Sequence, residues 1–214
     1  MSALGDAAAA IPAVRDQLAD HLLTPQNSAF IIIDYQPRQV AGVRSMDTEL
    51  LIRNAVSTVK LSRLFGLPIV HSTVNVASGN NAPTIEQLAP LLDGFAPIDR
   101  TTINAWEDPR FLAAVRATGK RKLIMCALWT EMCLAFPALD ALREGYEVYP
   151  VVDAIGGTSG DAHRVAVDRV VQAGAQPITW ASLAGELQRD WARVETVPQL
   201  IELAINERPP NERL

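Results

Sequence analysis

The chain has 214 residues, of which 49% are hydrophobic and 20% are charged. Nineteen Lys and Arg residues against 24 Asp and Glu residues leave a net charge of −5, so the basic surface that nucleic acid requires is missing. No apolar run approaches the ~18 residues of a membrane span, and Met1 to Asp20 lack the pattern of a signal peptide. We therefore expect a cytoplasmic protein without nucleic-acid or membrane partners.

The first half of the chain predicts alternating strands and helices. Residues 1–27 are rich in Ala, contain two prolines and are predicted to form an N-terminal arm. The unbroken apolar run that follows is typical of a strand buried on both faces, and it ends at Asp34. Beyond it the pattern predicts, in order, a helix over 47–65, a strand over 67–73, a polar loop over 75–83 and a short helix over 84–92.

The second half continues the alternation. The predicted elements are an extended piece over 96–101, a helix over 108–118, a strand over 122–128, a helix over 131–143, a strand over 146–152, a helix over 161–173, a strand over 176–180, a helix from its cap Ser182 to Trp191, and a last helix over 197–206. Such alternation predicts parallel βαβ units in an α/β fold, with three α-β-α layers around a mostly parallel six-stranded sheet. We assign residues 28–192 to this domain and 193–214 to a C-terminal helix and tail.

In folds of this kind the ligand crevice lies beyond the carboxyl ends of the strands. The segments in that position are residues 34–36, 128–133 and 153–160. Their chemistry-bearing side chains are therefore the first candidates for a site. The glycine-rich stretch 156–160 lacks the Gly-Lys-Ser/Thr ending of a phosphate-binding loop, and we expect it to form one wall of the crevice.

The two cysteines occupy different settings, and their spacing suits neither a disulfide framework nor a zinc site. Cys126 lies in the middle of a predicted strand and is expected in the core. Cys133 follows that strand by five residues, with Thr130 as a plausible helix cap. There the helix dipole favours a thiolate, and backbone N–H groups of the first turn can hold an oxyanion. The alternative is a buried structural cysteine.

Two charged residues could act with Cys133. Asp34 ends a purely apolar strand, where partial desolvation suits a general acid or base, although a capping role fits its position equally well. Arg100 could lower the pKa of the thiol and keep Asp34 ionised, or it could be a solvated surface arginine. His71 and His163 have no matching partners and are expected to be surface or packing residues.

Three segments together resemble the isochorismatase-like (nicotinamidase-related) cysteine hydrolases. They are Ile-Asp-Tyr-Gln at 33–36, Arg100 followed by Asn-Ala-Trp at 104–106, and Trp-Thr-Glu-Met-Cys at 129–133. The resemblance covers about residues 26–192 and points to a bacterial branch of oligomeric hydrolases whose natural substrate is unassigned. It implies a Rossmann-like, isochorismatase-like hydrolase fold in a homo-oligomer that acts on a small molecule without a cofactor. The loop over 36–47 has no histidine, so the metal cluster of nicotinamidases is not expected.

The resemblance also implies roles for individual residues. The family's Asp-Lys-Cys triad carries over to Asp34, Arg100 and Cys133, with arginine in place of lysine. A cis peptide between Leu128 and Trp129 would aim the Trp129 N–H into an oxyanion hole shared with the Cys133 N–H. The residues expected to bind substrate are Tyr35, Gln36, Asn104, Trp106, Thr130 and Phe136.

The implied activity is hydrolysis of a small amide or related carbon–nitrogen bond through a cysteine thioester. A second interpretation stays open at this point. In it, the chain is a catalytically idle, oligomeric scaffold or binding protein that keeps the fold without the reaction.

Overall fold

The computed structural model describes residues 15–206, with side chains as far as residue 204. Residues 1–14 of the predicted arm and 207–214 of the predicted tail lie outside the described residues. The described part is a parallel sheet flanked by helices, which confirms the predicted α/β fold class. The sheet order is β3-β2-β1-β4-β5, and its strands are β1 (Ser28–Ile33), β2 (Ile69–Val74), β3 (Ile98–Arg100), β4 (Lys122–Ala127) and β5 (Glu147–Pro150).

The two most apolar strands form the centre of the sheet. Every residue of β1 and β4 is buried, and the strands pair in parallel from Ser28 opposite Lys122 to Ile33 opposite Ala127. A strand with apolar residues on both faces is buried best between two layers of helices, which is why these runs take the inner positions of the sheet. Because β1 and β4 end in register, the segments that follow them emerge side by side.

Helices cover both faces of the sheet. They are α1 (Pro37–Gly42), α2 (Thr48–Leu64), α3 (Pro109–Ala117), α4 (Ala135–Arg143), α5 (Gly160–Gln172), α6 (Trp180–Gln188) and α7 (Val197–Asn206). Right-handed crossovers place α2 on one face and α3, α4 and α5 on the other, since the strand order reverses at β1. Helices α6 and α7 pack against α2. Across residues 15–206, no helix is long and apolar enough to cross a membrane.

The described sheet has five strands where the sequence predicted six. The predicted sixth strand, over 176–180, meets β5 in only one isolated bridge, between Val151 and Ile178. The N–H groups of Gln176 and Ile178 still bond the oxygens of Val148 and Pro150, at 2.9 and 3.0 Å, but Pro150 has no N–H to donate in return, so no regular ladder forms. Trp180 instead begins α6, whose cap is Thr179 and not Ser182, because the Thr179 side chain accepts from the Ser182 N–H.

Two further elements differ from the prediction. Residues 84–92 form turns and a single 3₁₀ turn, Ala89–Leu92, with Pro90 near its start, where an α-helix was predicted. The loop predicted after Asp34 contains α1, which is only six residues long and begins with Pro37. A helix this short has too few apolar positions to show a helical period in the sequence.

The described part of the predicted arm, residues 15–27, packs against the amino-terminal edge of the sheet. The buried Lys122 side chain donates from Nζ to the backbone oxygens of Asp20 and His21, at 2.8 and 2.6 Å. Leu23 is fully buried in the main core. These contacts lie at the edge opposite to the carboxyl ends of the strands.

Candidate active site

Asp34 follows β1 directly, and its backbone turns sharply there. Its φ angle is 63°, in the left-handed region that non-glycine residues rarely adopt. The Asp34 N–H still donates to the Ser72 oxygen as the strand would, at 3.0 Å, but the Gln36 N–H then bonds back to the Asp34 oxygen at 2.8 Å. Strain of this kind is held in place by its surroundings and is concentrated at functional sites. The turn leaves the Asp34 carboxylate at the carboxyl edge of the sheet.

Arg100 ends β3 and reaches past β2 to this carboxylate. Its NH1 and NH2 groups donate to the two Asp34 oxygens at 3.1 and 2.7 Å, in a two-pronged ion pair whose side chains are both 0% exposed. The same nitrogens lie 3.4 Å from the backbone oxygens of Thr73 and Ile103. Arg100 is thus not a solvated surface residue. Its terminal nitrogens are committed to protein oxygens, so its hydrogen bonds orient Asp34.

Cys133 lies beyond the end of β4, in a wide turn. The Leu128–Trp129 peptide is cis, as the resemblance implied. Residues Thr130–Leu134 then form a π-helical turn that continues into α4. Thr130 is not the cap that the sequence predicted: Trp129 holds that position without a side-chain cap, and the Thr130 hydroxyl instead bonds His163.

The structure brings Cys133 to Asp34. The half-buried Cys133 thiol donates a hydrogen bond to the Asp34 carboxylate, and the Trp129 backbone N–H bonds to the same sulfur. The three predicted triad side chains, from the ends of β1, β3 and β4, therefore meet at one place. That place is where the strand order reverses, the usual ligand position in sheets of this type.

Burial raises the pKa of both acids in this cluster. The pKa of Asp34 rises to about 6 through desolvation, although Arg100 and the Cys133 hydrogen bond hold it down. The pKa of Cys133 rises to about 12 through desolvation and the nearby Asp34 charge, against lowering by Arg100 and the Trp129 N–H. The expectation of a resting thiolate is therefore wrong. At neutral pH the pair consists of a thiol and a carboxylate placed to accept its proton.

The Trp129 side chain lies against α1. Its indole Nε1 donates to the Gln39 oxygen at 2.7 Å. A Cβ atom at Gly42 would lie 2.4 Å from Trp129 Cζ2, so the ring packs directly on the Gly42 backbone. A larger residue at position 42 would displace the indole or the helix. The short helix α1 thus supports the residue whose N–H meets the Cys133 sulfur.

Three of the residues predicted to bind substrate are fully buried and bonded within the protein. The Tyr35 hydroxyl donates to the Ala154 oxygen. The Gln36 amide donates to the oxygens of Val74 and Ala82, at 3.1 and 2.6 Å. Together with Thr130, these side chains are at most 1% exposed. They support the walls of the site from behind and offer no free polar atom to a ligand, unlike the direct contacts that we predicted.

Of the other predicted pocket residues, Asn104 and Trp106 follow β3, and Phe136 lies in the first turn of α4. Asn104 donates from Nδ2 to Asp140 at 2.7 Å, and the Trp106 indole donates to Glu144 at 2.9 Å. Trp106 is nearly buried, whereas Phe136 is half-buried beside the core. Asn104 and Trp106 therefore tie the segment after Arg100 to α4.

Several features next to the cluster were not predicted. His163 has a partner after all, since its Nδ1 lies 2.9 Å from the Thr130 hydroxyl, and burial lowers its pKa. Glu131, inside the segment that carried the resemblance, accepts from Thr158.

Cys126 is fully buried within β4, as predicted. In the part of the chain that the structure describes, no group of three or more His, Cys, Asp or Glu side chains is placed to hold a metal ion.

Comparison with known proteins connects this geometry to a family. The model of the isochorismatase domain matches residues 28–182, which include all three members of the cluster. The protein "Probable hydrolase YcaC" of Escherichia coli (strain K12) is 37% identical over 170 residues, which cover 79% of this chain and 81% of the relative.

Solved structures show the same likeness. The YcaC gene product of Escherichia coli, an octameric hydrolase of unknown specificity, aligns with a TM-score of 0.78 and 33% identity over 87% of this chain and 96% of that one. YcaC from Pseudomonas aeruginosa, with hexane-2,5-diol and covalent acrylamide, aligns equally well at 31% identity with the same coverage. Nicotinamidase from Bacillus subtilis shares the fold at 16% identity, with a TM-score of 0.59 over 71% of this chain and 99% of that one.

Proposed function

The chain belongs to the isochorismatase family of hydrolases, and we propose that it cleaves a small amide or related carbon–nitrogen bond through a thioester on Cys133. One observation carries the proposal: the Cys133 thiol donates to an Asp34 carboxylate that Arg100 holds in a buried ion pair. A thiol next to a carboxylate that a third group orients is the general arrangement of covalent acyl-transfer sites, and this likeness supports the proposal.

The first half of the reaction forms the acyl-enzyme. Asp34 accepts the thiol proton as the Cys133 sulfur attacks the substrate carbonyl carbon, and the carbonyl oxygen becomes an oxyanion. The Trp129 N–H exchanges its bond to the sulfur for one to this oxyanion, and the Cys133 N–H stabilises the oxyanion with it. Asp34 then gives the proton to the leaving nitrogen, the carbon–nitrogen bond breaks and an amine departs, which leaves a thioester on Cys133.

The second half returns the free enzyme. Asp34 accepts a proton from water as the water oxygen attacks the thioester carbon. The sulfur then leaves and takes the proton back, which releases a carboxylic acid. Arg100 donates no proton in this scheme, because a guanidinium stays charged at neutral pH and its terminal nitrogens already bond protein oxygens. Its role is to orient Asp34 and to keep it ionised.

Two relatives support parts of this proposal. The YcaC structure from Pseudomonas aeruginosa holds covalent acrylamide, a small amide that reacts with thiols, and we expect Cys133 to react in the same way. The Escherichia coli relative is an octamer, and we propose that this chain also forms a homo-oligomer, which light scattering can test.

Trp129 and Phe136, both half-buried, are the proposed aromatic walls that contact a small substrate. No cofactor takes part, and a cytoplasmic location stays a prediction.

A screen of small neutral amides, carbamates and ureas tests the function. Wild type is run beside Cys133→Ala, with release of the amine or ammonia as the signal. We expect wild type to hydrolyse at least one compound that the Cys133→Ala variant does not hydrolyse. Hydrolysis at equal rates by both proteins would contradict the proposal, and no turnover by either, with an unreactive Cys133, would favour the scaffold.

A further inference from the structure

The turn that carries Cys133 is tied to the segment between β5 and α5. Leu128 pairs with Gly156 in an isolated parallel bridge, and the Thr130 N–H donates to the Gly156 oxygen at 3.0 Å. The same segment is held from its other side, since Gly157 bonds Ser45 Oγ and the Arg44 N–H, both at 2.9 Å. Residues 156–158 therefore lie wedged between the end of α1 and the turn.

Glu131 forms the side-chain part of this connection. Its Oε1 accepts from the Thr158 N–H at 3.0 Å and from the Thr158 hydroxyl at 2.6 Å. Its Oε2 is buried without a hydrogen-bond partner among the described residues. A buried carboxylate oxygen left unpaired costs stability, so an acid at position 131 is better explained by what it holds than by the stability that it adds.

Gly157 makes room for this carboxylate. A Cβ atom at position 157 would lie 2.7 Å from Glu131 Oε2 and 2.9 Å from the backbone nitrogen of His163. Both contacts are shorter than real Cβ atoms show, and one of the two neighbours is backbone. The close approach of the Glu131 side chain to the 156–158 segment thus depends on glycine.

A second contact runs parallel to the first. The buried Thr130 hydroxyl and His163 Nδ1 share a hydrogen bond of 2.9 Å, which joins the turn to the first part of α5. Thr130 and Glu131 are consecutive, and their side chains bond different residues of the same neighbouring region. Two successive residues of the turn are therefore held from outside it.

We propose that Glu131 is a positioning residue for Cys133, an inference that rests on the proposed thiol chemistry. The Thr130–Leu134 turn is π-helical, with the N–H groups of Met132 and Leu134 both directed at the Trp129 oxygen, at 3.1 and 3.3 Å. Such wide turns are rare, and they frequently occur at functional sites. Glu131 anchors this turn to Thr158 and so keeps the Trp129 N–H and the Cys133 sulfur in line with Asp34.

The test compares Glu131→Ala with the conservative Glu131→Gln, whose amide oxygen can still accept from Thr158. Cys133 alkylation by acrylamide, followed by peptide mass spectrometry, reports the position of the sulfur without any substrate. We expect Glu131→Ala to slow alkylation by about tenfold or more, because small misplacements at a reacting centre have effects of this size. In amide turnover, kcat should fall by a similar factor with KM within about threefold. Glu131→Gln should restore both rates to within about threefold of wild type.

Asp161→Ala is the matched control. Asp161 is a carboxylate of the same region that is 91% exposed and forms an ion pair with Arg164 on its own helix, so its loss should leave alkylation unchanged. A wild-type alkylation rate in Glu131→Ala would overturn the proposal. Losses of alkylation rate in Glu131→Gln and Asp161→Ala as large as that in Glu131→Ala would overturn it as well. If Glu131→Ala does not fold, Thr158→Val removes one of the two donors, and a wild-type alkylation rate in that variant would overturn it as well. Failure of the proposed amide activity would leave the alkylation comparison intact.

Discussion

The two cysteines of β4 and its following turn differ in their surroundings, and we propose a reactive role for only one of them. Cys126 lies inside β4, fully buried, with the Tyr35 and Thr58 hydroxyls as hydrogen-bonding neighbours. Cys133 lies seven positions later, past the end of the sheet, and touches the Asp34 carboxylate and the Trp129 N–H. Desolvation raises the pKa of both thiols.

The difference between them therefore does not lie in the pKa. A thiol with a raised pKa is inert unless a base stands beside it, and Cys133 has an ionised carboxylate within hydrogen-bonding distance where Cys126 has hydroxyl groups. What distinguishes the proposed nucleophile is its place where three strand ends meet. This gives three ways to test the comparison, in order of expected effect.

Removing each sulfur in turn should have opposite consequences. We expect Cys133→Ala to lower kcat/KM by more than about a thousandfold, because the nucleophile of a covalent mechanism is lost. Cys126→Ala should keep activity within a few-fold and lower the free energy of unfolding by about 1 kcal/mol, since it leaves a small cavity in the core. Steady-state kinetics and thermal unfolding of the two variants check this. A Cys126→Ala variant that is stable but inactive would contradict the assignment.

The base beside Cys133 can be tested by pH. Asp34 must be ionised to accept the thiol proton, so with its pKa raised to about 6, kcat/KM should fall about tenfold per unit below pH 6 and be level above it. Because the pKa of Cys133 is about 12, no second rise is expected between pH 7 and 9. Asp34→Asn should lower kcat/KM by about 10²–10⁴-fold at pH values from 7 to 9. A rise that follows an ordinary thiol near pH 8.5 would indicate a free thiolate instead.

Arg100 offers the smallest and most specific change. Arg100→Lys keeps a cation near Asp34 but loses the two-pronged geometry, and we expect activity to fall by about tenfold or less. Arg100→Met leaves Asp34 buried and unpaired, which should move the acid limb of the pH profile upward by about one unit or more and cost about 3–5 kcal/mol of stability. An acid limb unchanged in Arg100→Met would show that the arginine does not keep Asp34 ionised.

The sequence was most informative where apolar runs end in a polar residue. The run before Asp34 and the strand before Trp129 predicted both the central strands and the edge at which the site lies. The prediction of a sixth strand failed because Pro150 has no N–H to donate to the segment beside it, a loss that hydrophobicity does not report. Helix α1 was missed because six residues are too few to show a period.

The residues of the candidate site could be predicted from the sequence, but the hydrogen bonds between them and their neighbours could not. Asp34, Arg100 and Cys133 could be named from their positions and from the resemblance, but the left-handed turn at Asp34 depends on packing that no local pattern encodes. The Thr130 hydroxyl was expected to cap a helix and instead bonds His163, 33 positions away. The π-helical turn and the anchoring of Glu131 by Thr158 are likewise long-range features. Pairing between distant side chains is what a single sequence conceals.

The central claim is that Cys133 carries the acyl group during turnover. The most direct measurement is acid-quenched turnover of a small amide found in the screen, followed by peptide mass spectrometry, for wild type and Cys133→Ala side by side. We predict an added acyl mass on the wild-type peptide that contains Cys133, and neither that mass nor turnover in the variant. An acyl group on any other residue, or turnover that survives in Cys133→Ala, would contradict the account.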